Sequence, residues 1–255
     1  MQDKNQSRRS FLRNSSLAAA ALVSIPQLAS ASYAAHGVKR KKIALNNGDV
    51  ILFQGDSITD ASRKKDDLNF NSASALGNGY AMIAASELLF RHADKGLKIF
   101  NKGISGNKVY QLAERWQKDA LDLRPQVLSI LIGVNDYWHR KLNLYKGTPK
   151  IYRDDYDALL TRTKEKYPNI RFIIGEPFAL KGIKAVDESW FPEFDEYRRA
   201  ARELADKFDA VFIPYQSIYE EASRKVPGVH WTYDGVHPSL AGAHLMAHSW
   251  LQAIK

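Results

Sequence analysis

The sequence predicts a single α/β domain built as a three-layer α/β/α sandwich, with an open, mostly parallel sheet covered by helices on both faces. Two observations carry this reading. First, five short and almost unbroken apolar runs punctuate the chain: VILFQ (50–54), LKIFN (97–101), VLSILIG (127–133), IRFIIG (170–175) and DAVFIP (209–214). Strands of a parallel sheet are covered on both faces, so they read as continuous apolar runs, whereas half-exposed strands alternate. Second, longer stretches with helical periodicity separate these runs, and repeated strand–helix alternation builds a parallel sheet through crossovers. No internal repeat, low-complexity tract or linker divides residues 49–255, which are read as one domain.

The elements follow in order. The first strand runs into FQGDSITD (53–60), and Asp, Ser and Thr are the residues that satisfy free N–H groups at a helix start. On this stretch alone Ser57 reads as a cap or as a reactive hydroxyl. GNGYAM (77–82) lacks the third glycine of a dinucleotide fingerprint and reads as a turn into a helix over about 79–91. YQLAERWQKDAL places Leu112, Trp116 and Leu121 near one face of a helix over 110–122. A helix over 152–167 stops at Pro168, because proline disfavours helical geometry in the residue before it. Further helices are expected over 193–207, 215–225 and 238–253.

Composition narrows the function. Apolar residues make up 45% and charged residues 25%, ordinary for a globular protein. With no cysteine, disulfides, thiolate nucleophiles and cysteine-bound zinc are all excluded. The N-terminal stretch SRRSFLRNSSLAAAALVSIPQLASASYAA has a charged start, a short Ala-rich apolar run and small residues near a cleavage point. Arg8 and Arg9, followed by Ser10, Phe11 and Leu12, resemble a twin-arginine export signal. Residues 1–34 are therefore read as a signal peptide, cleaved after Ala31, Ala34 or Ala35, with 35–48 as a basic lead. The apolar stretch at 17–25 is too short to span a bilayer. The expected destination is the periplasm or the cell exterior, with the twin-arginine machinery as a partner.

The net charge of +9 is concentrated outside the domain. Lys4, Arg8, Arg9 and Arg13 against Asp3 supply three of those charges, and KRKK at 39–42 supplies four more. The domain lacks a long basic stripe, so nucleic acid is not an expected partner.

In open α/β sheets the chemistry gathers beyond the carboxyl ends of the strands. There the chain carries GDSITD after strand one, NKGISGN (101–107) after strand two, GVNDYWH (133–139) after strand three and WTYDGVHPS (231–239) before the last helix. Singly, each is an ordinary turn or cap. Together they bring a hydroxyl, a His three residues after a carboxylate, a glycine N–H and a side-chain amide to one rim, the inventory of acyl transfer. Neither Ser57 nor Ser105 lies in the Gly-x-Ser-x-Gly elbow of α/β-hydrolases.

These four blocks, in this order, resemble the GDSL or SGNH hydrolases over essentially residues 49–255. GDSITD with Arg63, NKGISGN and VHPSLAG look most like the carbohydrate-deacetylating branch typified by acetylxylan esterases. One departure is Ser62, where that branch usually has glycine before the arginine. The resemblance implies a flavodoxin-like five-stranded parallel sheet, the SGNH hydrolase fold. It implies Ser57 as nucleophile, His237 as proton carrier and Asp234 as its orienting carboxylate. The implied oxyanion hole comprises the N–H groups of Ser57 and Gly106 and the side-chain amide of Asn135. Glycine at 106 is expected because a backbone N–H has to approach substrate without a Cβ in the way. Asp56 is expected to anchor the turn.

Tyr80, Tyr137, Trp138 and Trp231 are candidates for a sugar-stacking wall, Trp231 first among them, with core packing as the competing reading. Asp60 and Arg63 are candidates for shaping the pocket, with a structural ion pair as the alternative. His244 and His248, four apart on a helix, lack a third ligand and a Glu in His-Glu-x-x-His spacing, so no metal is expected. No organic cofactor is implied either. The leading function is a serine esterase acting on O-acetyl groups of plant or algal poly- or oligosaccharide. Its rivals are a lysophospholipase or thioesterase on the same fold and a non-catalytic carbohydrate-binding protein.

Overall fold

The computed structural model describes residues 41–255. The export signal with Arg8 and Arg9, and the first part of the basic lead, lie outside the described residues.

In chain order, β1 (Val50–Gly55) leads into a single helical turn, α1 (Ser57–Asp60), then α2 (Ala73–Leu76) and α3 (Tyr80–Arg91). β2 (Lys98–Asn101), α4 (Val109–Asp119), β3 (Val127–Leu131), α5 (Val134–Lys141) and α6 (Pro149–Lys166) follow. β4 (Arg171–Gly175), α7 (Glu193–Lys207), β5 (Val211–Ile213), α8 (Tyr215–Ser223) and α9 (Leu240–Leu251) complete the order. The five strands pair in parallel in the order β2-β1-β3-β4-β5, the doubly wound arrangement whose order reverses between β1 and β3.

Successive strand residues point to opposite faces, and each face has its own helices. Phe53 and its register partner Ser129 face α3 and α9. The Phe53 ring lies 5.7 Å from Tyr80 and 4.9 Å from Trp250, and the Trp250 indole N–H donates to Ser129 Oγ at 2.9 Å. On the other face the Gln54 amide donates to the Asp119 carbonyl at the end of α4. There α4 is tied to α6 by the Trp116 indole donating to Thr163 Oγ1 at 2.8 Å.

Helix ends follow their local chemistry. Thr148 caps α6 through Ile151 N–H, with Pro149 as its first residue, where a missing N–H costs nothing. The last helix starts later than expected. Ser239 caps it through Gly242 N–H, and Pro238 instead bridges back to Thr232. Helix α5 was not foreseen. Its buried start, from Val134 to Tyr137, includes polar Asn135 and Asp136, and its last turn is basic, so no apolar helical stripe stands out over its 8 residues.

Candidate active site

The end of β1 sets the position of Ser57. A Cβ on Gly55 would lie 2.3 Å from the Leu131 carbonyl oxygen and 2.5 Å from Thr59 Oγ1, so only glycine passes between β3 and the first turn. Asp56 then caps α1, its Oδ1 accepting from Ile58 N–H at 3.0 Å. With the cap supplied by Asp56, the Ser57 hydroxyl is left for another partner. That partner is His237, whose Nε2 lies 2.8 Å from Ser57 Oγ.

His237 is held from below by Asp234. Its ring Nδ1 lies 2.8 Å from Asp234 Oδ2, while Asp234 Oδ1 accepts the backbone N–H groups of Val236 and His237 at 2.9 and 2.8 Å. The turn is anchored from behind: Leu180 N–H donates to the Gly235 carbonyl and Ala185 N–H to that of Asp234. Burial works to raise the Asp234 carboxyl, but the His237 ring and the two backbone donors outweigh it and hold it at about 2. The same hydrogen bond raises His237 above its ordinary 6.5, against an opposing effect of burial. Asp56, also near His237, behaves in the opposite way. Burial raises it to about 7, a hydrogen bond from Ile58 opposes this, and its Oδ2 has no hydrogen-bond partner among the described residues.

The loops after β2 and β3 close on the other side of Ser57. Buried Asn101 uses all of its amide: Nδ2 donates to the carbonyls of Thr59 (2.6 Å) and Leu76 (2.8 Å), and Oδ1 accepts from Gly103 N–H. Asp60 accepts the N–H and the hydroxyl of Ser105 at 2.8 and 2.9 Å. Arg63 donates from Nε to the Gly103 carbonyl at 2.7 Å. Gly106 follows at φ +80°, a left-handed conformation that favours glycine. A Cβ there would meet nothing within 4 Å, so backbone conformation, not space, is what requires glycine. Asn135 enters from the start of α5, its Nδ2 donating to the Asn107 carbonyl at 3.3 Å.

Several substrate-contact expectations need correction. Tyr137 and Trp231 are 1% and 4% exposed. Tyr137 packs among Trp190, Phe194 and Tyr197, and the Trp231 indole donates to the Val226 carbonyl, so neither is a stacking surface. Tyr80 is buried, its hydroxyl bonded to Thr59 Oγ1, and contributes only to the cleft floor. Asp60 and Arg63 are buried as well and brace the 103–105 turn. The ion pair of Asp60 is with Lys65, not Arg63. Trp138 is half-buried, packed against Trp190 with its ring 6.3 Å from that of His237, and does not line the cleft.

Ser57 and His237 open on a cleft of about 410 Å3 whose rim includes Ser62, Asn78, Tyr233 and Leu240. Tyr233 and Leu240 are 60% and 76% exposed, and sequence reasoning passed over both. The available signal was position: Tyr233 immediately precedes Asp234, and Leu240 opens α9. Ser62 sits at φ +61°, which explains why glycine is the easier residue there. Among the described residues no group of three or more His, Cys, Asp or Glu is placed to hold a metal ion.

This arrangement of hydroxyl, imidazole and carboxylate beside a glycine turn and an amide agrees with what the chain resembles. Residues 53–245 match the model of the GDSL-like lipase/acylhydrolase family. The chain belongs to that family. It is a carboxylic ester hydrolase. An acetylxylan esterase from Geobacillus stearothermophilus is 31% identical to it over 212 residues, covering 82% of this chain and 95% of that one. Among solved structures, a protein described as a GDSL-like lipase from Parabacteroides merdae is 49% identical, with a TM-score of 0.81 over 83% of this esterase and 98% of that chain. A variant of an acetyl-xylooligosaccharide esterase from Geobacillus is 30% identical, with a TM-score of 0.75 over 83% and 96% of the two chains.

The buried Asp56 gives the esterase a pH-dependent stability. Its folded-state pKa of about 7 lies above the ordinary 3.8, so its contribution is complete below about pH 4 and is lost as pH rises through 7. Asp56→Asn removes this titration. The melting temperature of the variant relative to the parent is therefore expected to rise between pH 5 and 8, measured by calorimetry in matched buffers. A difference independent of pH would contradict the assignment.

Proposed function

We propose that this chain is a serine esterase that removes acetyl groups from carbohydrate by way of an acyl-enzyme on Ser57. The observation that carries the reading is the Ser57–His237–Asp234 chain of hydrogen bonds, with 2.8 Å at both links. Ser57 Oγ attacks the ester carbonyl carbon as its proton passes to His237 Nε2. Asp234 keeps the imidazole in the tautomer whose Nε2 lone pair faces Ser57, and stabilises the imidazolium. The oxygen that becomes negative is held by the N–H groups of Ser57 and Gly106 and by the Asn135 amide. The C–O bond to the sugar then breaks, His237 returns the proton to the departing sugar hydroxyl, and water repeats the sequence to release acetate and free Ser57.

A carbohydrate leaving group is supported by the rim. Tyr233 offers aromatic surface, and Ser62 and Asn78 offer hydroxyl and amide groups, the combination that suits a neutral sugar ring. The similarity to esterases of acetylated xylan and xylooligosaccharides supports the acetyl group. Export by the twin-arginine route, on Arg8 and Arg9, belongs to the same proposal and suits an enzyme meeting polymeric substrate outside the cytoplasm.

The deciding experiment is acetate release from acetylated xylooligosaccharides by the parent and by Ser57→Ala. The parent releases acetate and the variant, folded by circular dichroism, does not; equal release by both sinks the proposal. Because only neutral imidazole accepts the Ser57 proton, kcat/KM is expected to fall on acidification with a midpoint above 6.5, in the direction Asp234 shifts His237. A profile flat down to pH 4 contradicts this role. Tyr233→Ala is expected to raise KM for acetylated oligosaccharide by roughly tenfold, the scale of one stacking contact, and to leave p-nitrophenyl acetate hydrolysis within about twofold. Equal losses on both esters would remove Tyr233 from sugar binding.

A further inference from the structure

Lys108 is a buried cation that the chemistry above does not use. It is the last residue before α4 and only 6% exposed. Removing an ammonium from water is costly, so it persists where its surroundings compensate. Here Nζ donates to His139 Nδ1 at 3.0 Å and to the Gly106 carbonyl oxygen at 3.4 Å. It also lies 5.6 and 5.5 Å from the ring centroids of Tyr110 and Tyr145, within cation–π range of both. The two tyrosines stack on each other with centroids 5.5 Å apart.

The His139 contact defines a protonation state. An ammonium only donates, so Nδ1 has to present its lone pair and the ring is neutral. Burial lowers both groups from their ordinary values, and the Lys108 charge lowers His139 further.

The Gly106 contact matters for a different reason. Around Gly106 the loop is pinned on either side: Ser105 by Asp60, Asn107 by Asn135 and Arg115, and Val109 N–H by Asp136. Gly106 itself has no side chain and sits at φ +80°, so its orientation depends on what holds its peptide groups. Lys108 Nζ is the side-chain donor on its carbonyl.

We propose that Lys108 is a positioning residue for acyl transfer: braced by His139, Tyr110 and Tyr145, it holds the Gly106 carbonyl and so the peptide after Gly106, and with Ser105 pinned by Asp60 on the other side this keeps the Gly106 N–H directed toward the oxygen that becomes negative. The inference rests on reading Gly106 as an oxyanion donor. Misplacing such a donor costs transition-state stabilisation without weakening ground-state binding, so the loss falls on kcat.

The absence of cysteine from this chain makes a clean test possible. Lys108→Met and Lys108→Cys are assayed with p-nitrophenyl acetate beside the parent and Ser57→Ala. The Cys variant is then alkylated with 2-bromoethylamine in the unfolded state and refolded. The thiolate displaces bromide and rebuilds a lysine-like side chain ending in an ammonium; the parent goes through the same procedure. The expected result is a roughly 10- to 100-fold fall in kcat for Lys108→Met with KM within twofold, and recovery of most of the lost kcat on aminoethylation. A kcat within twofold of the parent in Lys108→Met, with Ser57→Ala inactive, would overturn the role of Lys108 alone. So would a failure of aminoethylation to restore kcat when the refolded parent is active. Hydrolysis surviving in Ser57→Ala would overturn the underlying reading of the site as well.

Discussion

The site depends on how a parallel sheet ends its strands. At the carboxyl edge the chain leaves the ladder, and the backbone groups released there are buried under loops and require partners. This protein supplies them with side chains. Asn101 alone satisfies backbone groups of three segments: the α1 turn, the end of α2 and the β2 loop. Asp60 and Arg63 do the same for Ser105 and Gly103. The bonds that make the edge foldable also hold the turn that carries Ser57 against the loop that carries Gly106, to which Asn135 bonds through Asn107.

Charge placement follows from the same economy. Asp56 and Asp234 both lie near His237, yet their carboxyls shift in opposite directions. Asp234 accepts two backbone N–H groups and the imidazole, which stabilise its anion. Asp56 is more deeply buried, accepts Ile58 N–H and leaves one oxygen without a partner among the described residues. Sequence proximity to Ser57 therefore says little about a carboxylate's charge state; the number of donors it meets decides it. The carboxylate that serves His237 belongs to a turn on the far side of the sheet order, delivered by the chain entering α9.

Most of the fold was legible because burial on both faces writes itself as apolar runs, and all five expected strands formed with ends shifted by one or two residues. The short α5 was hidden because Asn135 and Asp136 interrupt its buried start and its last turn is basic, so no apolar stripe marks it. Within the site, the motif residues were legible from order and position at strand ends. The cleft-facing aromatic was not, because a sequence does not distinguish a buried ring from an exposed one: Tyr137 and Trp231 went to the core, while Tyr233 was left exposed on the rim. The bracing roles of Asp60, Arg63 and Asn101 were equally hidden, since their partners are backbone atoms tens of residues away.

The central claim is that Ser57 carries the acyl group during turnover. It is tested most directly by quenching the enzyme with acid during steady-state hydrolysis of an acetyl ester and mapping its peptides by mass spectrometry. The account predicts one acetyl group on the peptide containing Ser57, attached to that serine and absent from enzyme quenched without substrate. An acetyl group on Ser105 or another residue instead would contradict it.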